Sequence, residues 1–213
     1  MSKNGFFITG TDTGVGKTFF CSILMSKYNF DYWKPVQTGK FIENDTLYIK
    51  ENSGVKKSRF HKPIYTFKKP LSPHLASSYE RISINIKRIK KPKSNKPLII
   101  EGAGGILVPL NKKDLIIDLI KKFKLPVIVV SKSILGTINH TLMTLEILKK
   151  NKIKVFGVVL NNIKNKKEGI DNAKSIEAFG KIKVIAQISS INRITKKKIE
   201  ILSKKEFINV FKI

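Results

Sequence analysis

Cysteine, arginine, histidine and acidic residues are all scarce in this chain of 213 residues. With Cys21 as the single cysteine, an internal disulfide framework is excluded. Lying in an apolar stretch, Cys21 reads as core packing. His61, His74 and His140 are spaced unlike any metal-binding set, and they offer no Ser-His-Asp arrangement. No apolar run reaches the length that spans a bilayer. A strand pattern starts within a few residues of Met1, so no signal peptide is expected. These absences point to a soluble cytoplasmic protein without a membrane partner. Acidic residues number 15 against 42 lysines and arginines, for a formal net charge of +27. Such a charge attracts polyanions at low salt. Yet only Arg59, Arg81, Arg88 and Arg193 are arginine, the residue best suited to bidentate phosphate and base contacts. The lysines are scattered, with local densities at 87–96, 164–167 and 196–198 and no interleaved aromatics. The charge therefore reads as a lysine bias with solvated faces. No specific nucleic-acid partner is expected, although the charge helps to gather anionic substrates.

Hydrophobic residues make up 41% of the chain, enough for one globular domain over residues 1–213. The most informative segment is Gly5-Phe-Phe-Ile-Thr-Gly-Thr-Asp-Thr-Gly-Val-Gly-Lys-Thr18. An apolar run leads into a glycine-rich turn, then Gly-Lys-Thr, then an apolar helical stretch. This order is strand, phosphate-cradling loop, helix. The glycines let several N–H groups turn inward on a polyphosphate. The helix start adds unsatisfied N–H groups and a partial positive charge. Lys17 is placed for the β- and γ-phosphates and the Thr18 hydroxyl for Mg²⁺. The usual P-loop glycine position is Thr11 here, and Gly10 comes one residue earlier, so the motif is a lengthened variant.

Strand patterns fall at 5–9, 32–36, 97–101, 126–130, 155–160 and 183–186. Several are continuous apolar runs, as in a parallel sheet covered on both faces. Helical patterns lie at 17–28, 45–52, 72–79, 114–123, 137–150, 169–179 and 195–211. The alternation predicts a three-layer α/β fold of the P-loop NTPase type: a mainly parallel sheet flanked by helices, with its site at the carboxyl ends of the strands.

Those strand ends carry further candidates. Leu98-Ile-Ile-Glu101 ends in a carboxylate suited to Mg²⁺ and runs into Gly102-Ala-Gly-Gly105, although a tight turn alone also accounts for the glycines. Lys34 interrupts an apolar strand, either snorkelling to solvent or serving a site as its cation. Asp45 reads as a helix N-cap or as a third oxygen ligand beside Thr18 and Glu101. Asn161 is a candidate for a purine edge, with a turn-forming Asn161-Asn162 pair as the competing account.

Gly10 to Thr18, Lys34-Pro-Val-Gln-Thr-Gly39, Tyr65-Thr-Phe67 with Ser72-Pro-His74, Glu101 to Gly105 with Pro109-Leu110, and Leu135-Gly-Thr-Ile-Asn-His140 together resemble the dethiobiotin synthetase family, in the family's order. The resemblance implies ATP- and Mg²⁺-dependent carboxylation of 7,8-diaminononanoate by CO₂ and closure of a ureido ring. Carbamate and carbamic–phosphoric anhydride are the implied intermediates. It implies catalytic roles for Lys17, Lys34 and Thr13. Nucleotide contacts are implied for Asp12, Thr13, Gly14, Val15, Gly16, Lys17, Thr18, Phe19, Glu101, Gly102 and Asn161, and Mg²⁺ ligation for Thr18, Asp45 and Glu101. The implied substrate contacts are Thr13, Lys34, Thr38 and Gly104. Gly136, Thr137, Ile138 and Asn139 are implied to bind the substrate carboxylate across the interface of a homodimer.

The rival reading is a partitioning-type P-loop ATPase acting on DNA or membrane. Such proteins carry a signature lysine near the start of the loop, where this chain has Gly10-Thr11-Asp12.

Overall fold

In a computed structural model that describes residues 4–41 and 44–204, seven parallel strands form the central sheet, in the order β4-β2-β6-β1-β7-β8-β9. β1 (Gly5–Gly10), the strand that feeds the P-loop, lies between β6 (Leu98–Gly105) and β7 (Val127–Lys132). β2 (Asp31–Trp33) and the two-residue β4 (Phe60–His61) extend one side. β8 (Val155–Ile163) and β9 (Val184–Ser189) extend the other. Because all pairs are parallel, Gly10, Trp33, Gly105, Lys132 and Ile163 finish at one end of the sheet, with Glu101 and Asn161 a few residues before that end in their strands.

The continuous apolar runs have the reason expected of them. Side chains alternate between faces along a strand, and here both faces are covered. Phe7, Trp33, Ile100 and Val129 join one core with α4 (Ile116–Phe123) and α6 (Lys166–Gly180). Phe6, Ile8, Tyr32 and Ile99 join a second core with α1 (Lys17–Lys27), α2 (Asp45–Ser53) and α7 (Lys196–Ser203). The remaining helices are α3 (Pro73–Tyr79) and α5 (Thr137–Lys150).

Several boundaries differ from the sequence pattern. The expected strand at 32–36 divides. Pro35 has no N–H for the ladder, and its carbonyl instead accepts from Ile64 and Tyr65. The chain then forms β3 (Val36–Gln37), paired with β5 (Tyr65–Thr66) in a separate two-stranded sheet. β6 runs four residues past Glu101, through the glycines, to Gly105. α6 starts earlier than expected because the Asn165 side chain accepts from the Lys167 and Glu168 N–H groups. α4 starts later, where Asp118 accepts from the Leu115 N–H at 2.9 Å. Of the helix expected over 195–211, Lys196–Ser203 is present, and residues beyond 204 lie outside the described part. No helix among the described residues is long and apolar enough to cross a membrane.

Candidate active site

Four elements bring their polar groups to one point. The P-loop hands over to α1 at Gly16, which adopts φ 97° and ψ 29°, so Lys17 and Thr18 occupy the first helical turn. Lys34 follows β2, Asp45 opens α2 and Glu101 stands within β6. The Lys34 ammonium lies 2.6 Å from Asp45 Oδ2 and 3.1 Å from Glu101 Oε1. Thr18 Oγ1 is 2.5 Å from Asp45 Oδ1 and 2.8 Å from Glu101 Oε1, so its one proton serves two carboxylates. Asn44, not Asp45, caps α2, accepting from the Leu47 N–H at 3.0 Å. The Asp45 carboxylate, not used as the cap, turns inward to Lys34 and Thr18.

Burial sets the electrostatics. Burial alone would depress the Lys34 ammonium, but the Glu101 and Asp45 carboxylates outweigh it and hold the pKa above the ordinary lysine value. Asp45 is raised by burial, yet Lys34 and the Thr18 and Gln37 hydrogen bonds bring it below the usual carboxylate range. Lys17 behaves oppositely: burial and then the neighbouring Lys34 lower it from 10.5 to about 8, against the pull of Glu101 and Asp45. Its Nζ donates to the Asp12 carbonyl at 3.0 Å, folded back over the loop it belongs to.

The titration of Lys17 gives a pH prediction. In the free protein its charge is lost as pH rises through about 8, whereas bound phosphates favour the charged form. The dissociation constant for metal-free ATP should therefore climb toward about tenfold per pH unit above that point, as followed by titration calorimetry between pH 7 and 9.5. A flat profile would contradict it. Stability runs the other way: between about 8 and 10.5 the unfolded chain holds the proton that folded Lys17 has lost, so this residue's burial cost is relieved as pH rises.

The donor set fits Mg²⁺. Two carboxylates and a hydroxyl are hard oxygen ligands, and Mg²⁺ is commonly held by one or two carboxylates together with substrate phosphates. No cluster of three or more His, Cys, Asp or Glu residues that would suit a fully protein-ligated ion occurs among the described residues.

The point of convergence opens into a cavity of about 780 Å³, lined among others by Thr13, Gly14, Gly16, Lys17, Thr18 and Phe19. Lys34, Thr38, Asp45, Glu101 and Gly104 line it as well.

The comparisons with known proteins agree with this geometry. A family model described as an AAA domain matches residues 4–198. The ATP-dependent dethiobiotin synthetase BioD of Lawsonia intracellularis is 46% identical over 191 residues, 90% of this chain and 90% of that protein. Its counterpart from Paramagnetospirillum magneticum is 42% identical with the same coverage. The chain belongs to the dethiobiotin synthetase family. The biotin biosynthesis bifunctional protein BioCD of Bordetella avium is 41% identical over 94% of this chain, which spans 42% of that longer protein. Among solved structures, a ParA family ATPase from Chlorobium tepidum matches with a TM-score of 0.54 at 12% identity, covering 96% of this chain and 99% of that one. The MinD cell division protein of Aquifex aeolicus matches at 0.52 and 14%, over 94% and 87%. At those identities the likeness concerns the three-layer fold alone.

The dethiobiotin synthetase positions named from sequence divide into three groups. Those just described line the cavity. A second group underlies it. Val15 is buried, and its carbonyl accepts from Asn161 Nδ2 at 3.0 Å. Asn161 thus uses one N–H of its amide to brace the loop, and any purine contact is left to its second N–H and its carbonyl oxygen. Gly102 packs over Phe7, whereas Asp12, which accepts from the Thr13 N–H at 2.6 Å, is exposed and lines a separate cavity with Gly105 and Leu107. The third group, Gly136, Thr137, Ile138 and Asn139, opens α5 and is not among the residues lining this cavity. The Thr137 hydroxyl is 2.7 Å from that of Ser131 and is buried.

Two partners of Glu101 escaped the sequence pattern. The Tyr32 hydroxyl donates to Glu101 Oε2 at 2.8 Å, and burial followed by the Glu101 charge pushes its pKa well up. Cys21, expected as plain core, sits against the same carboxylate, and burial and then Glu101 push its thiol up. Nothing in an aromatic of a buried strand marks such a role. Tyr48 and Glu51 were also unmarked, and they line the cavity.

Proposed function

We propose that this chain carboxylates 7,8-diaminononanoate with CO₂ and closes the ureido ring of dethiobiotin, converting ATP to ADP and phosphate. The observation that carries the reading is the meeting of Lys17, Thr18, Lys34, Asp45 and Glu101 around one cavity. Family membership at 46% identity supports it.

The reaction assembles three anions: a triphosphate, a carbamate and the carboxylate tail of the substrate. The loop N–H groups from Thr13 to Thr18 and the start of α1 hold the phosphates. Thr18, Asp45 and Glu101 would hold Mg²⁺, which when bound supplies charge neutralisation at the phosphates. One amine adds to CO₂ to form the carbamate. Lys34 and Lys17 face it from two sides, while Thr13, Thr38 and the Gly104 backbone orient it. The carbamate oxygen takes the γ-phosphoryl group and ADP leaves. The second amine attacks the carbonyl carbon, and phosphate departs with the C–O electron pair. Lys34 enters this sequence charged, because the Glu101 and Asp45 carboxylates raise its pKa in the resting site. Positioning and fixed charge carry the catalysis.

The start of α5 serves a neighbouring copy in this reading. Its N–H groups at Gly136 to Asn139 suit a carboxylate. Beside it Leu135 and Ile134 are exposed, and Leu107 and Met143 lie exposed nearby, at 51% and 57%. Such apolar exposure suits a homodimer interface.

The decisive assay follows phosphate release from ATP, Mg²⁺ and bicarbonate with and without the diamine. Release should depend strongly on the diamine. Release indifferent to it, or stimulated by DNA, would return the reading to a partitioning-type ATPase.

A further inference from the structure

We propose that Lys34 is the resident cation of the Mg²⁺ site before metal arrives, and that it must vacate the carboxylates for metal to enter. This rests on the reading of Thr18, Asp45 and Glu101 as the metal ligands. Lys34 Nζ contacts one oxygen of each carboxylate, at 2.6 and 3.1 Å. The remaining oxygens are taken by Thr18, at 2.5 Å on Asp45, and by Tyr32, at 2.8 Å on Glu101. Every inward-facing carboxylate oxygen therefore has a proton donor. The lysine side chain is 6% exposed and that of Glu101 0%, so water screens these charges poorly.

Mg²⁺ requires ligand oxygens at about 2.0–2.1 Å. An ion bonded to both carboxylates would stand within a few ångströms of the ammonium, and two cations at that spacing repel strongly in a buried site. Lys34 and the metal are therefore alternatives. Charge explains the use of such an arrangement. With Lys17 as the second cation beside them, the two carboxylates and two lysines cancel, so the metal-free cluster offers a triphosphate little net attraction. With a divalent ion the carboxylates are neutralised, and the lysine charge is free to turn into the cavity. Metal loading and the delivery of Lys34 to the anionic substrate are then one event. Without metal the lysine is held back, which discourages carbamate capture before Mg–ATP is in place.

The test uses Mn²⁺ as a paramagnetic stand-in, with the full-length protein and no nucleotide. Free Mn²⁺ is counted by electron paramagnetic resonance, and melting is followed in parallel. Wild-type protein should bind Mn²⁺ weakly, with little change in melting temperature. Lys34→Gln should melt lower in the absence of metal, bind Mn²⁺ at least about tenfold more tightly, and regain melting temperature as Mn²⁺ is added. Lys34→Arg keeps the charge and should bind as weakly as wild type. Adding Asp45→Asn to Lys34→Gln should abolish the gain. Equal Mn²⁺ affinity in Lys34→Gln and wild type would overturn the proposal. So would micromolar Mn²⁺ binding by the wild type alone, a result that needs no variant to fold. The function reading fails separately: a wild type that ignores the diamine yet shows the expected Mn²⁺ pattern loses the reaction and keeps the lysine's role.

Discussion

Lys17→Met is expected to lower kcat/KM about a thousandfold while raising the melting temperature by a few degrees. The loss comes from the phosphates. Removing one fixed donor from a developing charge in a water-poor site costs roughly 10²–10³ in rate, and Lys17 also helps to gather the carbamate. The gain comes from burial. The folded protein disfavours the Lys17 charge, lowering its pKa from 10.5 to about 8. At pH 7 that charge is a cost of folding, on the order of 1–3 kcal/mol. Methionine fills a similar volume without it, and only the hydrogen bond to the Asp12 carbonyl is lost. Lys34 carries the opposite sign, because its pairing with Glu101 and Asp45 raises its pKa, and its removal strands two buried carboxylates. Steady-state kinetics and calorimetry at pH 7 without nucleotide measure both effects. A destabilised Lys17→Met would contradict the assigned burial cost, and near-normal turnover would remove the residue from the machinery.

That two lysines beside the same carboxylates differ in sign was not legible from spacing. The sequence marked Lys17 by its place in the P-loop and Lys34 because it interrupts an apolar strand. What separates them is where the ammonium ends up, and that depends on register. Trp33 pairs with Ile100 across β2 and β6, so Lys34, the residue that follows β2, comes level with Glu101 in β6. The P-loop, the parallel sheet and the cluster of strand tips were legible because each rests on a local pattern: a glycine-rich turn, unbroken apolar runs, and polar residues ending them. The two-residue strands β4 and β5 were not, being too short for any period to show. The break at Pro35 was within reach, since proline cannot donate to a ladder. Tyr32 was out of reach: its ring belongs to the core and only its hydroxyl to the site.

Asn161 shows the same limit, and it sets up the second large effect. A polar strand end facing a nucleotide site suggested a ligand contact, while in the structure its amide N–H donates to the Val15 carbonyl at 3.0 Å. The brace passes directly over Gly16, where an added Cβ would come within 2.0 Å of Asn161 Nδ2. Gly16 also sits at φ 97°, where other residues are strained. Gly16→Ala therefore meets two obstacles. The backbone strain costs about 1–2 kcal/mol, and displacing the brace adds roughly the worth of a buried hydrogen bond with its repacking, about 1–2 kcal/mol more. For a chain of this size the sum is a fall of roughly 4–16 °C in melting temperature. ATP affinity should drop far more than stability suggests, by about a hundredfold, because relaxing φ swings the Lys17 and Thr18 N–H groups away from the phosphates. The variant Asn161→Ala isolates the brace: it keeps the glycine, loses the hydrogen bond and should weaken ATP binding only several-fold. In the double variant the steric obstacle is gone but the strain stays, so stability recovers in part and ATP affinity does not. Nucleotide titration and thermal melts on the three proteins decide it. Gly16→Ala binding ATP within threefold of wild type would mean that the left-handed turn at residue 16 is not what aims the loop at the phosphates.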